Sequence, residues 1–577
     1  AYQREKGIKS YFYSFFFIIM STWLLGNTTV RSPFRLIDGL KVFASTNGDI
    51  RGTKEKELVF CKALVDGGII SSNFEAKDTS GFSDTTYSVG RKWRSALEKL
   101  GFIEQFNQIY ILTENGRNLL NSQTLQSDQE CYLRSLILYS CEAQNSDDSI
   151  GFFSPLMLTL HIMKELENRI GTSKISFQEM AAVIQLTFSY SDINQCVDEI
   201  LTIRSNRQAS SSKKKFDREL YQSKSAKAEI QAPSIKDYAD TNLRYLKSTG
   251  LFTASGKGIC FIDDKKIVID KLIEMYGTFD ISQSDLKIQK GAPLPTDHKE
   301  TNILLAAQLE ETLNRNRILF EKNSSILQAP IGEIKNYRYH LEELLFENNE
   351  KKFAENQKNE WDEILAYMDV LISPRPMSIE IGDKEISIPS GEKPAYFEWV
   401  LWRAFLALNH LIIEPQQCRR FKVDQDFKPI HHAPGGGADV IFEYENFKIL
   451  GEVTLTSNSR QEAAEGEPVR RHIAVETVNT PDKDVYGLFL ALTIDTNTAE
   501  TFRHGAWYHQ EELMDVKILP LTLGSFKKYL ESLREKNQLE AGIFDLKKMM
   551  DESLKLREAL TAPQWKNEIT NKFTRAI

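Results

Sequence analysis

What this chain has little of narrows it first. Its six cysteines are scattered over 577 residues with no C-x-x-C pair, so neither a disulfide framework nor a cysteine zinc site has the residues it needs. That usage suits a reducing compartment. The nine histidines include one adjacent pair, His431-His432, but no Cys or His partner stands at zinc spacing from it, and the pair reads as loop. A global excess of positive charge is missing: 72 Lys and Arg against 80 Asp and Glu give a net charge of −8. That sum does not exclude a nucleic-acid partner, because association is steered by local fields. Gly435-Gly436-Gly437 lacks the Gly-Lys-Ser/Thr of a phosphate loop, which leaves a flexible turn or a close backbone approach to a ligand. Long apolar runs are absent save Tyr11 to Leu25, which follows Arg4, Lys6 and Lys9; it is short for a membrane span and has no small-residue cleavage site. With Met20 inside that run, residues 1–20 read as an extension foreign to the native protein, whose removal leaves activity intact. The expectation is a cytoplasmic protein with no membrane partner.

What is present suits several domains. With 41% hydrophobic residues, a chain of this length can bury more than one core. The division expected is residues 21–290 as a recognition region, 291–375 as a helical linker and 376–577 as a separate domain, with Ser373-Pro374-Arg375-Pro376 at the second boundary. Tyr87 to Leu120 reads as a helix, then Gly101-Phe102-Ile103, then Ile109-Tyr110-Ile111-Leu112, then a closing helix, which is the order of a winged helix. Arg91, Lys92 and Arg94 lie on the helix that would enter a DNA major groove. Ile235 to Leu246, which carries Arg244, repeats the theme with Thr249-Gly250-Leu251-Phe252 and Ile259-Cys260-Phe261-Ile262 behind it. Such modules also serve as plain protein contacts. Basic charge is concentrated in residues 201–260, which hold twelve Lys and Arg against five Asp and Glu. There Lys213-Lys214-Lys215, after three serines, reads either as a mobile basic loop for phosphates or as a solvated linker.

The most informative stretch runs from Gly435 to His472. Asp439 opens Val440-Ile441-Phe442, and Glu452 lies within Phe447 to Leu455, both rich in the β-branched and aromatic residues that suit strands. If Glu445-Asn446 is a two-residue hairpin turn, Asp439 falls opposite Glu452. Directly opposed side chains stand about 5 Å apart at Cβ, where two carboxylates repel unless a cation lies between them or one is protonated. A hard, oxygen-seeking ion such as Mg2+ satisfies the pair; a charged couple on the wet face of an ordinary hairpin is the plainer alternative. Alternation puts Thr454 on the face of Glu452.

Hairpin, spacing and sequel resemble the PD-(D/E)XK nucleases, and within them the AlwI-like type IIS restriction endonucleases, which include strand-specific nicking enzymes. The resemblance is carried by Tyr396-Phe397-Glu398-Trp399, His431-His432-Ala433-Pro434-Gly435, Ala438-Asp439, Gly451-Glu452-Val453-Thr454 and Glu465-Gly466-Glu467-Pro468-Val469-Arg470-Arg471-His472. Upstream it extends weakly through Arg244-Tyr245-Leu246, Thr249-Gly250-Leu251-Phe252 and Arg31-Ser32-Pro33. It implies that Asp439 and Glu452 bind the metal, that the Val453 carbonyl completes its shell, and that Glu398, Glu465 and His472 line the same site. The superfamily pattern expects Pro before the Asp and Lys two after the Glu, where this chain has Ala438 and Thr454. The missing Lys leaves His472, Glu465 or a second metal as the group that activates water.

The fold expected is therefore a multidomain α/β protein with winged-helix-like DNA-recognition domains, a helical linker and a C-terminal mixed-sheet nuclease domain of PD-(D/E)XK type. Pro468 argues against one helix running through Glu465 and His472, and is better placed at a helix start. His472, with an ordinary pKa of about 6.5, is able to pass a proton at working pH, or is simply an exposed helical His. The activity expected is Mg2+-dependent hydrolysis of double-stranded DNA outside a short asymmetric site. One strand is cut per catalytic domain, a second copy or a separate small subunit serves the other, and a cognate DNA methyltransferase belongs to the same system. The alternative is a DNA-binding regulator built on an inactive nuclease fold.

Overall fold

The computed structural model describes residues 22–46, 54–70, 88–107, 109–144, 150–278, 286–382, 384–389, 391–457 and 459–575. The extension expected over residues 1–20 lies outside them. The protein is a mixed α/β chain, mostly helical, with one four-stranded sheet and several two-stranded ones. Apolar side chains between Trp23 and Leu305 form one core, those between Trp361 and Phe573 form another, and a small cluster around Leu309, Leu313 and Leu341 lies in the helices between. The helix Trp361–Ile372, expected within the linker, thus packs into the second core.

In the first region the helix Ser88–Lys99 is followed by the hairpin Ile103–Phe106/Ile109–Leu112 and the helix Glu114–Asn121. Its apolar face buries Trp93 and Leu97, and Gly101 turns the chain with φ 70°, in the left-handed region that glycine enters without strain. The same succession recurs in the helix Ala232–Lys247, the hairpin Phe252–Ser255/Gly258–Phe261 and the helix Lys266–Tyr276. Lys213-Lys214-Lys215 is not a loop. It opens the helix Lys213–Lys227, because the Ser212 hydroxyl accepts from the Lys215 N–H and caps it.

The four-stranded sheet has the order Lys517–Thr522, Asp484–Ala491, Phe447–Thr454, Val440–Glu443; its first three strands are parallel and the last is an antiparallel edge. Lys448 faces Glu443, Ile449 faces Phe442, Leu450 faces Ile441 and Gly451 faces Val440. This is the register of a two-residue Glu445-Asn446 turn. The helix Lys393–Leu408 lies on the sheet, with Phe405 stacked on Phe442 at 4.0 Å between ring centroids. A Cβ on Gly451 would come within 2.6 Å of Val440 and 2.8 Å of Leu401, so that approach depends on glycine there.

The helix Arg460–Asn479 crosses between the two longest strands without a break, and Pro468 lies inside it, contrary to the expected helix start. A proline in a helix interior costs about 3 kcal/mol through one lost hydrogen bond and a ring clash. The burial of Val469, Ile473 and Ala474 on the same helix offsets that loss. Glu465 and His472 therefore share one helix.

Candidate active site

Four acids and one histidine gather where the edge hairpin meets two helices. One residue beyond the last registered pair, Asp439 enters the sheet, and its Oδ2 accepts from the Val453 N–H at 2.9 Å. Glu452, on the central strand, shares a 2.7 Å hydrogen bond between Oε1 and His472 Nδ1. Glu398 comes from the helix on the sheet face, and its Oε2 accepts from the Ala433 N–H at 2.6 Å. Glu465 stands two turns before His472, near enough to the Thr454 hydroxyl for that group to favour its ionised form. Glu398 and Glu452 are only 5% and 7% exposed, which removes the water that would otherwise screen them.

Burial, followed by repulsion from Glu452 and Glu465, pushes Asp439 up to about 7. Burial and Glu465 push Glu452 up to about 8. Glu398 is raised well above the carboxylate range by burial, Asp439 and Glu452, and Glu465 is raised by burial. His472 is lowered by burial, then by Arg471 and Arg420. Its Nε2 is buried with no hydrogen-bond partner among the described residues. When Glu452 is ionised, Nδ1–H donates to it, and Nε2 is then the unprotonated nitrogen.

Among the described residues no three His, Cys, Asp or Glu side chains close on one point as a metal-ligand set. Carboxylates that repel one another settle on separate donors, here the Ala433 and Val453 N–H groups and His472. In charge and donor type the set fits a hard divalent cation: it is all oxygen, buried and short of positive charge.

A family model described as AlwI restriction endonuclease matches residues 98–529. This chain belongs to the AlwI restriction endonuclease family. It is a type II restriction nuclease, a class that acts on DNA and generally uses a divalent metal. No curated protein matches the AlwI-family chain. Among solved structures it is similar to the small subunit (R.BspD6I2) of the heterodimeric restriction endonuclease R.BspD6I, at 26% identity over 37% of this chain and 98% of that one, with a TM-score of 0.29. It is also similar to the restriction endonuclease FokI, at 9% identity over 89% of this chain and 96% of that one, with a TM-score of 0.25. At such scores neither likeness decides the fold or the chemistry.

The five side chains Glu398, Asp439, Glu452, Glu465 and His472 thus stand in one neighbourhood of this AlwI-family chain. The residues read as DNA contacts are spread out. Arg91 and Lys92 are exposed on the helix Ser88–Lys99, whereas Arg94 is mostly buried, with Nη1 donating to the Tyr110 hydroxyl at 2.6 Å and the guanidinium over that ring. Lys213, Lys214 and Lys215 are exposed, and Lys214 pairs with Glu380. Arg244 donates to Asp240 at 3.0 Å. Arg420 went unnoticed in the sequence. Its Nη1 and Nη2 donate to the carbonyls of Ala438 and Gly435 at 3.2 and 3.3 Å, immediately before Asp439. A lone arginine beside a cysteine and another arginine gives no spacing signal; only the fold brings it to the glycine loop.

Among the described residues no helix is long and apolar enough to cross a membrane.

Proposed function

We propose that this protein is a type IIS-like restriction endonuclease that reads a short asymmetric DNA site with its N-terminal region and hydrolyses a phosphodiester a few base pairs away. The observation that carries the reading is the clustering of Asp439 and Glu452 at one end of the hairpin with Glu398, Glu465 and His472 around them. Asp439, Glu452 and the Val453 carbonyl would hold Mg2+. Bound there, a divalent ion would supply positive charge against the carboxylates' repulsion, a lowered pKa for an attacking water and compensation for charge developing on the phosphate. His472 accepts a proton at Nε2 while its Nδ1–H is held by Glu452. Glu398 fixes a wall of the pocket through the Ala433 N–H, and Glu465 lies on the helix that carries His472. The two helix–hairpin–helix units serve as winged-helix readers, and exposed Arg91, Lys92 and Lys213 to Lys215 follow phosphates. We place the protein in the cytoplasm, in one system with a cognate DNA methyltransferase.

One set of carboxylates hydrolyses one strand at a time. A monomer then nicks beside its site, and double-strand cleavage takes a second copy or a separate small subunit. Titrating enzyme over a plasmid with one site, with nicked and linear products followed separately, tests this. Nicked circles are expected first, with linear product rising with enzyme concentration. Linear product formed without a nicked intermediate, at a rate independent of enzyme concentration and with no second subunit present, overturns it. Run-off sequencing of both ends gives the cut distance.

A further inference from the structure

Arg420 grips the backbone segment that delivers Asp439 to the site. It is fixed from two sides. Its neighbour Arg419 makes a bidentate pair with the fully buried Glu350, at 2.6 and 2.8 Å, and bridges Val440 across the backbone. The Arg420 N–H reaches the Asp439 carbonyl at 3.4 Å, and its two terminal nitrogens hold the Ala438 and Gly435 carbonyls. Three contacts from one residue thus grip the segment that delivers Asp439.

The glycines of that segment differ in what they meet. A Cβ on Gly437 would lie 2.5 Å from Arg420 Nη1, whereas Gly435 and Gly436 have nothing within 4 Å. A side chain on Gly437 therefore displaces the guanidinium end, while one on Gly435 meets open space among the described residues. A guanidinium does not lose its proton, and two of its five donors suffice for the two carbonyls, so this grip does not vary over the working pH range.

We propose that Arg420 is a positioning residue for cleavage: it holds the Gly435–Asp439 segment, and with it Asp439, in place. This rests on the nuclease reading above. The test uses the full chain carrying Arg420→Met, Arg420→Lys or Gly437→Ala. Binding of a site-containing duplex is measured without Mg2+, then kcat and KM for cleavage with Mg2+, and melting temperature throughout. Arg420→Met is expected to lower kcat about 100-fold, the scale of a misplaced reacting group, with KM and duplex affinity unchanged. Arg420→Lys keeps the charge but cannot span both carbonyls, so it recovers part of the rate. Gly437→Ala, which pushes the guanidinium off the segment, falls with Arg420→Lys. Wild-type kcat in Arg420→Met overturns the proposal. So does a loss shared equally by binding, cleavage and melting temperature in Arg420→Lys and Gly437→Ala, which marks a merely structural residue. If Asp439→Asn also cleaves normally, the nuclease site itself has been misassigned, and the two failures are told apart.

Discussion

Acids that stand beside lysines and arginines and the acids of the candidate site are all pushed upward by burial, yet they end in opposite states. Away from the site, and at the join between the two cores, acids meet cations. Glu363 meets Arg403 at 2.6 Å and Lys384 at 2.7 Å, and despite burial these partners hold it down at about 2. Asp297 lies between Arg134 and Lys335 and is lowered; Asp426 is lowered by Lys247, 2.9 Å away. Asp424, a second acid on that same lysine, is left raised at about 6. In the site, Glu398, Asp439 and Glu452 face other acids and all rise. Burial pushes every carboxylate upward, so the neighbours decide the outcome. A fold that pairs its acids elsewhere but crowds them at one hairpin end favours their protonated forms there unless a cation joins them.

The contrast can be broken most sharply at Asp439. Asp439→Asn should lower Mg2+-dependent cleavage by on the order of 10^3-fold while duplex binding persists. The same change should leave the melting temperature of the metal-free protein equal or higher, because it removes one repelling charge. A clear fall in melting temperature would show that the site acids are structural after all.

Next in size is Glu363→Gln, which leaves Arg403, 2% exposed, without its carboxylate. Loss of one member of a buried pair should cost on the order of 3 kcal/mol at neutral pH, read from chemical denaturation. The sign with pH follows from the lowered value. Glu363 titrates near 2 in the fold against an ordinary 4.5, so its stabilisation is complete above about 4.5 and is lost as pH falls toward 2. Glu363→Gln should flatten that acid limb of the stability curve. The smallest effect belongs to Lys257→Ala. Its pair with Glu385 is about 40% exposed on both sides, and its removal should change stability by less than about 1 kcal/mol, shrinking further in high salt.

What the sequence made legible was local. The turn pair Glu445-Asn446 and the apolar alternation around it set the hairpin register, because a one-residue slip would turn every buried side chain to the wrong face. The two helix–hairpin–helix successions were readable from Gly101 and Gly250 and the short apolar runs behind them. Contacts between distant segments carried no such signal: the Ala433 N–H on Glu398, Arg420 over Gly437, and Glu350 on Arg419 join residues with no periodic relation. Two local rules were overridden. A single serine cap turned a lysine run from loop into helix, and core packing carried a helix through Pro468.

One feature of the join limits how this molecule can be rebuilt. The turn at Asp424-Gln425-Asp426 leaves the C-terminal region and plugs into the N-terminal one: Gln425 donates to the Lys247 and Phe252 carbonyls at 3.1 and 2.8 Å, and Asp426 accepts from Thr253 and Ala254 at 2.6 and 2.9 Å. His431, a few residues on, meets Asp38 at 2.7 Å, and Ala433 follows, holding Glu398. A chimera that grafts residues 376–577 onto a foreign DNA reader would strip this plug of its socket and slacken the peptide that anchors a site carboxylate. The exchangeable cassette therefore has to include the socket, with Lys247 and the hairpin that begins at Phe252.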